Sequence, residues 1–238
     1  MPLDLEPSRT NPRVPGIVLS VVIPTLNAAD TLCATLADVA SADEVIVVDG
    51  GSVDGSDRLA RSFGARLLSS APGRGRQLDL GARAARGAWM LFLHADTRLP
   101  PDWRADVERY ISRSRSHRRA AAFRFALDDP SWRARLLEQL VGLRVRLLAL
   151  PYGDQGLLIH RDLYAATGGF HPLPLMEDVD LVRRLGRRRL TRLKTPARTS
   201  ARRWRRDGWL ARSLRNLTCL TLYAAGVPVH RIVRLYER

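Results

Sequence analysis

The chain is poor in cysteine: two in 238 residues, Cys33 and Cys219. They lie far apart and lack metal-ligand spacing, which removes a zinc module or a disulfide framework and points to a reducing compartment. No apolar run approaches the ~20 residues that a spanning helix needs, so a soluble or peripherally bound protein is expected. There is one lysine, Lys194, so the positive charge is almost all guanidinium. Acid is scarce late in the chain. From Leu181 to Arg215 there are 14 basic residues against one acid, Asp207, while from Ile17 to Tyr110 the count is 10 against 12. The overall net charge of +15 is therefore concentrated late. Such a block suits an anionic lipid surface, nucleic acid or substrate phosphates, or is simply a solvated face. No RNA- or DNA-binding module is recognisable, so nucleic acid is not expected as a partner.

What is present supports one large domain, since the 45% hydrophobic content allows a sizeable core. Residues 1–16 carry Pro2, Pro7, Pro12 and Pro15 and no apolar centre, and read as a disordered leader. Apolar runs at Ile17–Ile23, Glu44–Val48, Ala65–Leu68 and Trp89–Leu93 read as strands. Between them, helices are expected after Asn27 as cap, over Ser56–Phe63 and over Gln77–Arg86, with Pro72 to Gly75 as a break. This order implies an α/β fold, mostly parallel, with right-handed crossovers. Later elements are a helix from Trp103 to Ile111, a strand from Ala120 to Leu127 and a long helix from Trp132 to Leu150. A short strand at Gly156–His160, a helical turn at Asp162–Thr167 and a helix at Glu177–Leu185 follow. The last third reads as helical and amphipathic.

Candidate chemistry falls at the carboxyl ends of the expected strands, where ligands of open α/β sheets sit. Asp96 follows the run Trp89–Leu93 and is a hard oxygen ligand suited to Mg²⁺ or Mn²⁺ on a diphosphate. His94, two residues away, could join it and would favour Mn²⁺. In Asp49-Gly50-Gly51-Ser52-Val53-Asp54-Gly55 the glycines allow close backbone approach to a ligand. The same loop also reads as a tight turn with a capping Asp. Arg74 and Arg76 suit phosphate oxygens, or are an exposed basic loop. Glu177-Asp178-Val179-Asp180 opens a helix, where carboxylates are stabilised by the dipole; one of them is a candidate general base. Arg202, Arg203 and Trp204 join guanidinium groups to an indole.

Jointly, these segments resemble a family 2 glycosyltransferase with a GT-A fold, from Ser20 to about Trp204. Pro24-Thr25-Leu26-Asn27 resembles the opening after strand one, and Val48 to Gly55 the nucleotide-binding loop. His94-Ala95-Asp96 sits where that family carries DXD. Gly168-Gly169-Phe170 with Glu177-Asp178 resembles the acceptor-side segment, and Ser200 to Trp204 the QxxRW element. Gly73 to Gln77 and Phe92 to Thr97 also look like the bacterial group of radical-SAM/selenodomain-associated transferases. The resemblance implies a GT-A domain over 17–204 and a helical extension over 205–238 packed on it. It implies an inverting, single-sugar transfer from a nucleotide sugar, in the first place a UDP-sugar, with Mn²⁺ or Mg²⁺ as cofactor and the acceptor unnamed.

Asp49 would contact the base, Asp54 would support that pocket, Asp96 (with His94) would ligate the metal and Asp178 would be the base. Pro24, Thr25, Asn27, Gly51, Ser52, Arg74, Gln77 and Ala95 complete the implied donor site. Glu177, Arg203 and Trp204 fall to the acceptor or diphosphate. Three positions depart from the pattern: Gly50 and His94 replace acids, and Ser200 replaces Gln. A cytoplasmic protein, some of it at the inner membrane face, is expected. Two other readings stand beside this one. A sugar nucleotidyltransferase would need a Gly-rich loop with Lys after the first strand, where Pro24 to Asn27 stands. A non-catalytic basic membrane module is motivated by Arg183 to Arg215 and by the departures at Gly50 and His94.

Overall fold

Strand β1 (Leu19–Thr25) is buried along its whole length. Leu19, Val21 and Ile23 enter one apolar layer and Val22 the other. A strand covered on both faces needs apolar residues at consecutive positions, which is why Val21, Val22 and Ile23 follow one another without alternation. The computed structural model describes residues 19–148 and 153–236. The further strands are β2 (Glu44–Asp49), β3 (Arg66–Ser69), β4 (Trp89–Phe92), β5 (Thr97–Arg98), β6 (Ala120–Leu127), β7 (Leu157–His160) and β8 (Leu190–Thr199). The helices are α1 (Ala29–Asp38), α2 (Ser56–Ser62), α3 (Arg74–Ala84), α4 (Trp103–Ile111), α5 (Trp132–Leu148), α6 (Arg161–Ala166), α7 (Glu177–Leu185), α8 (Arg202–Asp207), α9 (Trp209–Ala224) and α10 (Val229–Tyr236). The leader over 1–16, the start of the first expected strand and the end of the long helix at Leu150 lie outside the described residues.

The eight strands form one sheet in the order β3-β2-β1-β4-β7-β6-β8-β5. β1 pairs in parallel with β2 and β4, and β2 with β3. β7 runs antiparallel to both β4 and β6, so β6 again points the same way as β4. β8 is parallel to β6. One edge therefore collects the carboxyl ends of β1, β4 and β8 and the start of β7. The α/β, mostly parallel expectation holds, with helices on both faces. The C-terminal helices α9 and α10 pack through Cys219, Leu220 and Ile232 on Leu175, Met176 and Val179 around α7. Among the described residues no helix is long and apolar enough to cross a membrane.

Three local expectations are corrected. The segment Leu190–Thr199, expected to be helical, is a strand. Its buried positions Leu193, Thr195, Ala197 and Thr199 alternate with exposed or half-buried Lys194, Pro196 and Arg198. The period of two is there, but threonine and alanine carry it, so it does not stand out as apolar. Arg74, Gly75 and Arg76 are not a loop but the first turn of α3. Asn27 does not cap α1, whose N-cap is Ala28 without a side-chain bond. Asn27 instead adopts a left-handed φ of +48°, and its Oδ1 accepts from the Val53 N–H at 2.9 Å. Asparagine tolerates that region because its short amide can bond locally.

Candidate active site

The carboxyl edge of the sheet opens into a cleft of about 830 Å³. The end of β1 and the loop after it form one side through Pro24, Thr25 and Asn27. The β4–β5 turn adds His94, Ala95 and Asp96; α3 adds Arg74 and Gln77; α7 adds Asp178; α8 adds Arg203 and Trp204. Asp49, Gly51, Ser52, Asp54 and Glu177 are not on its wall, and Arg76 is exposed elsewhere.

The residues off the wall are structural supports for those on it. Asp49 accepts from the N–H groups of Gly51 and Ser52 at 3.0 and 2.9 Å and from the Ser52 hydroxyl. Ser52 Oγ accepts from the Asn27 N–H at 2.8 Å. Asp54 accepts from the Ala29 N–H at 2.8 Å and from both Ser56 donors. The Ser56 hydroxyl bond and then the Ala29 amide hold Asp54 below the usual carboxylate range. Two sheet-edge loops are thereby tied together, and both Asp49 oxygens are engaged within its own loop. Gln77 is buried and donates through Nε2 to the carbonyls of Thr25 and Val48 at 2.8 and 2.7 Å. A Cβ at Gly50 would lie 3.2 Å from that nitrogen. The glutamine therefore occupies the space that a side chain at Gly50 would enter.

The β4–β5 turn is fixed from two sides. The Thr35 hydroxyl donates to the Ala95 carbonyl at 2.9 Å. Thr97 pairs with Thr199 across β5 and β8, which sets Asp96 opposite Ser200 and near α8. Burial, then Arg74 and Arg203, push His94 down to about 3, so its imidazole is neutral at physiological pH. Burial raises the Asp96 carboxyl, and Arg203 pulls it back. A neutral imidazole and a desolvated carboxylate on one turn suit a divalent cation. Among the described residues no group of three His, Cys, Asp or Glu side chains gathers to cage an ion. The donor set fits a cation that takes its other ligands from phosphate oxygens and water.

The acidic run that opens α7 separates into three roles. Glu177 is fully buried, with Arg74 Nε at 2.9 Å from Oε1, yet neither oxygen gains an aligned hydrogen bond among the described residues. Burial pushes its carboxyl up to about 7; Arg74 opposes that rise and Asp178 adds to it. Burial works against the Arg74 charge, but Glu177 and Asp178 beside it keep its pKa above the ordinary value. Asp180 accepts from Arg184 at 2.6 Å and from Tyr223, and faces His171 Nδ1 at 2.9 Å. Arg184 also donates to the carbonyls of Thr167 and Gly169, so Asp180 secures the approach loop. Asp178 is the member of the run that lines the cleft. The residue before α7, Met176, takes a left-handed φ of +65° on the cleft wall, a conformation that costs about 1–3 kcal/mol.

Asp154, Arg212, Asn216 and Tyr236 are among the cleft residues missed in the sequence. Asp154 stands in a short turn, Gly153–Gln155, before β7. Burial pushes it up to about 7; Arg144 opposes this, while Asp178 and Asp96 add to it. Its signal was an acid between glycines directly ahead of a buried strand. Arg212, Asn216 and Tyr236 reach the cleft from α9 and α10, and nothing in their local sequence marks them.

An eight-stranded, mostly parallel sheet with helices on both faces and a cleft along its carboxyl edge is a GT-A fold. Residues 20–117 match the family model described as Glycosyl transferase family 2. A PGL/p-HBAD biosynthesis glycosyltransferase of Mycobacterium bovis is 37% identical over 93 residues, 34% of this chain and 36% of that protein. A glucosyl-3-phosphoglycerate synthase of Mycolicibacterium paratuberculosis is 32% identical over 95 residues, 34% and 29% of the two chains. This chain thus spans about a third of the length of these curated relatives. In three dimensions it is similar to the Mycobacterium tuberculosis glucosyl-3-phosphoglycerate synthase, solved with Mn²⁺, UDP and glucosyl-3-phosphoglycerate. The TM-score is 0.63 at 22% identity, covering 90% of this chain and 81% of that one.

Proposed function

We propose that this chain moves one sugar from a nucleotide-sugar donor to an acceptor hydroxyl. One observation carries the reading: His94 and Asp96 on the β4–β5 turn and Asp178 on α7 line a single cleft with Arg74 and Arg203. A UDP-sugar is the proposed donor, because the structural neighbour was solved with UDP and with either Mn²⁺ or Mg²⁺. A divalent cation, Mn²⁺ or Mg²⁺, offsets charge on the leaving diphosphate when bound. Asp96 and the neutral His94 imidazole hold that cation. Arg203, with Arg74 steadied by Glu177, faces the diphosphate oxygens. The Asp49 loop, with Gly51, Ser52 and Asp54, borders the nucleoside, and Pro24, Thr25, Asn27, Gln77 and Ala95 shape its seat. Trp204 stands on the acceptor side.

Asp178 takes the proton of the acceptor hydroxyl. The oxygen bonds to the anomeric carbon while the carbon–oxygen bond to the diphosphate breaks, its electron pair leaving on phosphate. Attack from the opposite face inverts the anomeric carbon. In this reading residues 17–204 are the transferase domain, and 205–238 are an extension packed on it. The protein acts in the cytoplasm, with part of it at the anionic inner membrane face. Leu210, Leu214 and Leu217 are exposed along α9 beside the arginine-rich segment, a pattern that suits an interfacial helix.

The test is calorimetric titration with a panel of nucleoside diphosphates, each with and without Mn²⁺, followed by NMR assignment of the product anomer. UDP binding that tightens with Mn²⁺ is expected. Binding of no nucleoside diphosphate in either condition overturns the proposal and leaves a non-catalytic basic module. Retention of the donor configuration overturns inversion alone.

A further inference from the structure

The wall that α9 and α10 add to the cleft has no place in the sugar-transfer scheme above, and its polar atoms are left wanting a ligand. Arg212 is 3% exposed, and its Nε has no hydrogen-bond partner among the described residues. Its nearest carboxylate is Asp207, at 3.3 Å from Nη1. That carboxylate is shared with Arg206 at 2.7 Å and Arg215 at 3.4 Å, so three cations rest on one anion. A buried charge without its own counter-ion is costly unless something else supplies one. The Oδ1 of Asn216, one turn on from Arg212 along α9, is also buried without a partner, and so is Trp204 Nε1. All three residues line the cleft.

Tyr236 ties this wall to the rest of the site. Its hydroxyl accepts from Arg203 Nη1 at 3.0 Å, and its ring lies 4.3 Å from the Arg212 guanidinium carbon. Two guanidinium groups are therefore held over the hydroxyl and the face of one ring. On α9 the inward positions run Arg212, Asn216, Cys219, Leu220. The latter two join the apolar cluster with Met176 and Ile232. The inward stripe of the helix thus turns from apolar to polar where it reaches the cleft, which packing does not require.

We infer that Arg212, Asn216 and Trp204 form an anion subsite for the acceptor, which carries a carboxylate or phosphate beside the hydroxyl that receives the sugar. Arg212 Nε and Trp204 Nε1 donate to the anion, and the Asn216 amide meets a neighbouring polar group. The assignment deepens the transfer reading and rests on it. The alternative source of the same chemistry is the donor diphosphate.

The probe is inorganic phosphate, titrated into the full chain alone and again with saturating UDP and Mn²⁺. Phosphate is expected to bind the UDP–Mn²⁺-loaded protein. Arg212→Gln, and separately Asn216→Asp, should each weaken it at least about tenfold, the scale of a lost charge-assisted contact. UDP–Mn²⁺ affinity should stay within about twofold in both variants, which also reports that they are folded. Phosphate wholly displaced by UDP–Mn²⁺ overturns the assignment and gives this wall to the diphosphate. Wild-type phosphate affinity in the Asn216→Asp protein, or no phosphate binding to the wild type, overturns it as well. Failure of UDP to bind strikes the transfer reading instead, and the phosphate arm without UDP still reports whether Arg212 holds an anion.

Discussion

Replacing Glu177 with Gln isolates the most confined charge in this site. The side chain is completely buried, and its carboxyl is raised from 4.5 to about 7, first by loss of water, against the pull of Arg74. Gln keeps the shape and cannot titrate. Between pH 4.5 and about 7 the folded wild-type chain holds a proton that the unfolded chain has lost. By linkage, this group's contribution to stability is fully present below pH 4.5 and falls as pH rises through that window. At about 1.4 kcal/mol per pH unit, the window is worth about 3 kcal/mol. No reduction for solvent screening applies, because no water reaches the group. His94 and Asp154 titrate in both proteins, so their contributions cancel in the comparison.

The expected outcome is near-equal stability at pH 4, with the Gln variant ahead by about 3 kcal/mol at pH 8. In melting temperature that is about 6–12 °C for a chain of this size. Urea unfolding of both proteins across pH 4 to 8 measures it. A difference that stays flat with pH, or one that favours the wild type as pH rises, would refute the reasoning. It would mean that the Arg74 pair, rather than burial, dominates the carboxyl.

Three further outcomes are expected. Gly75→Ala should destabilise the fold by at least about 2 kcal/mol, because the new Cβ would lie 2.2 Å from the His171 carbonyl oxygen; thermal melts check it. Asp96→Ala should remove the Mn²⁺-dependent gain in UDP affinity while leaving the melting temperature of the metal-free protein unchanged or higher, since burial already disfavours that carboxylate; calorimetry with and without Mn²⁺ reads it. Replacing Leu210, Leu214 and Leu217 together by Ser should abolish co-sedimentation with anionic vesicles, and high salt should weaken the wild-type interaction.

The front half of the fold was legible because its strands are buried on both faces and must be apolar residue after residue, as in Val45 to Val48. The late strand β8 was not legible. Its inward residues are Thr195, Ala197 and Thr199, and its pairing with β6 depends on a partner about 70 residues earlier. The candidate carboxylates were found by their place after strands, but their duties were not separable in sequence. Glu177, Asp178 and Asp180 sit within four positions, yet one is buried against Arg74, one lines the cleft and one clamps Arg184. Helical rotation sends neighbours to different surroundings, and only packing says what those are.

By itself the sequence determined the α/β alternation, the acids and glycines at strand ends and the late concentration of arginine, because strand burial and turn chemistry act over a few residues. The tertiary structure decided which of these meet. The antiparallel turn of β7 against β4 and β6 delivers Asp154 to the same edge as Asp96, and β8 carries Arg203 and Trp204 there. The packing of α9 and α10 on α7 then adds Arg212 and Tyr236. Such meetings depend on contacts between residues far apart along the chain, and local patterning does not encode them.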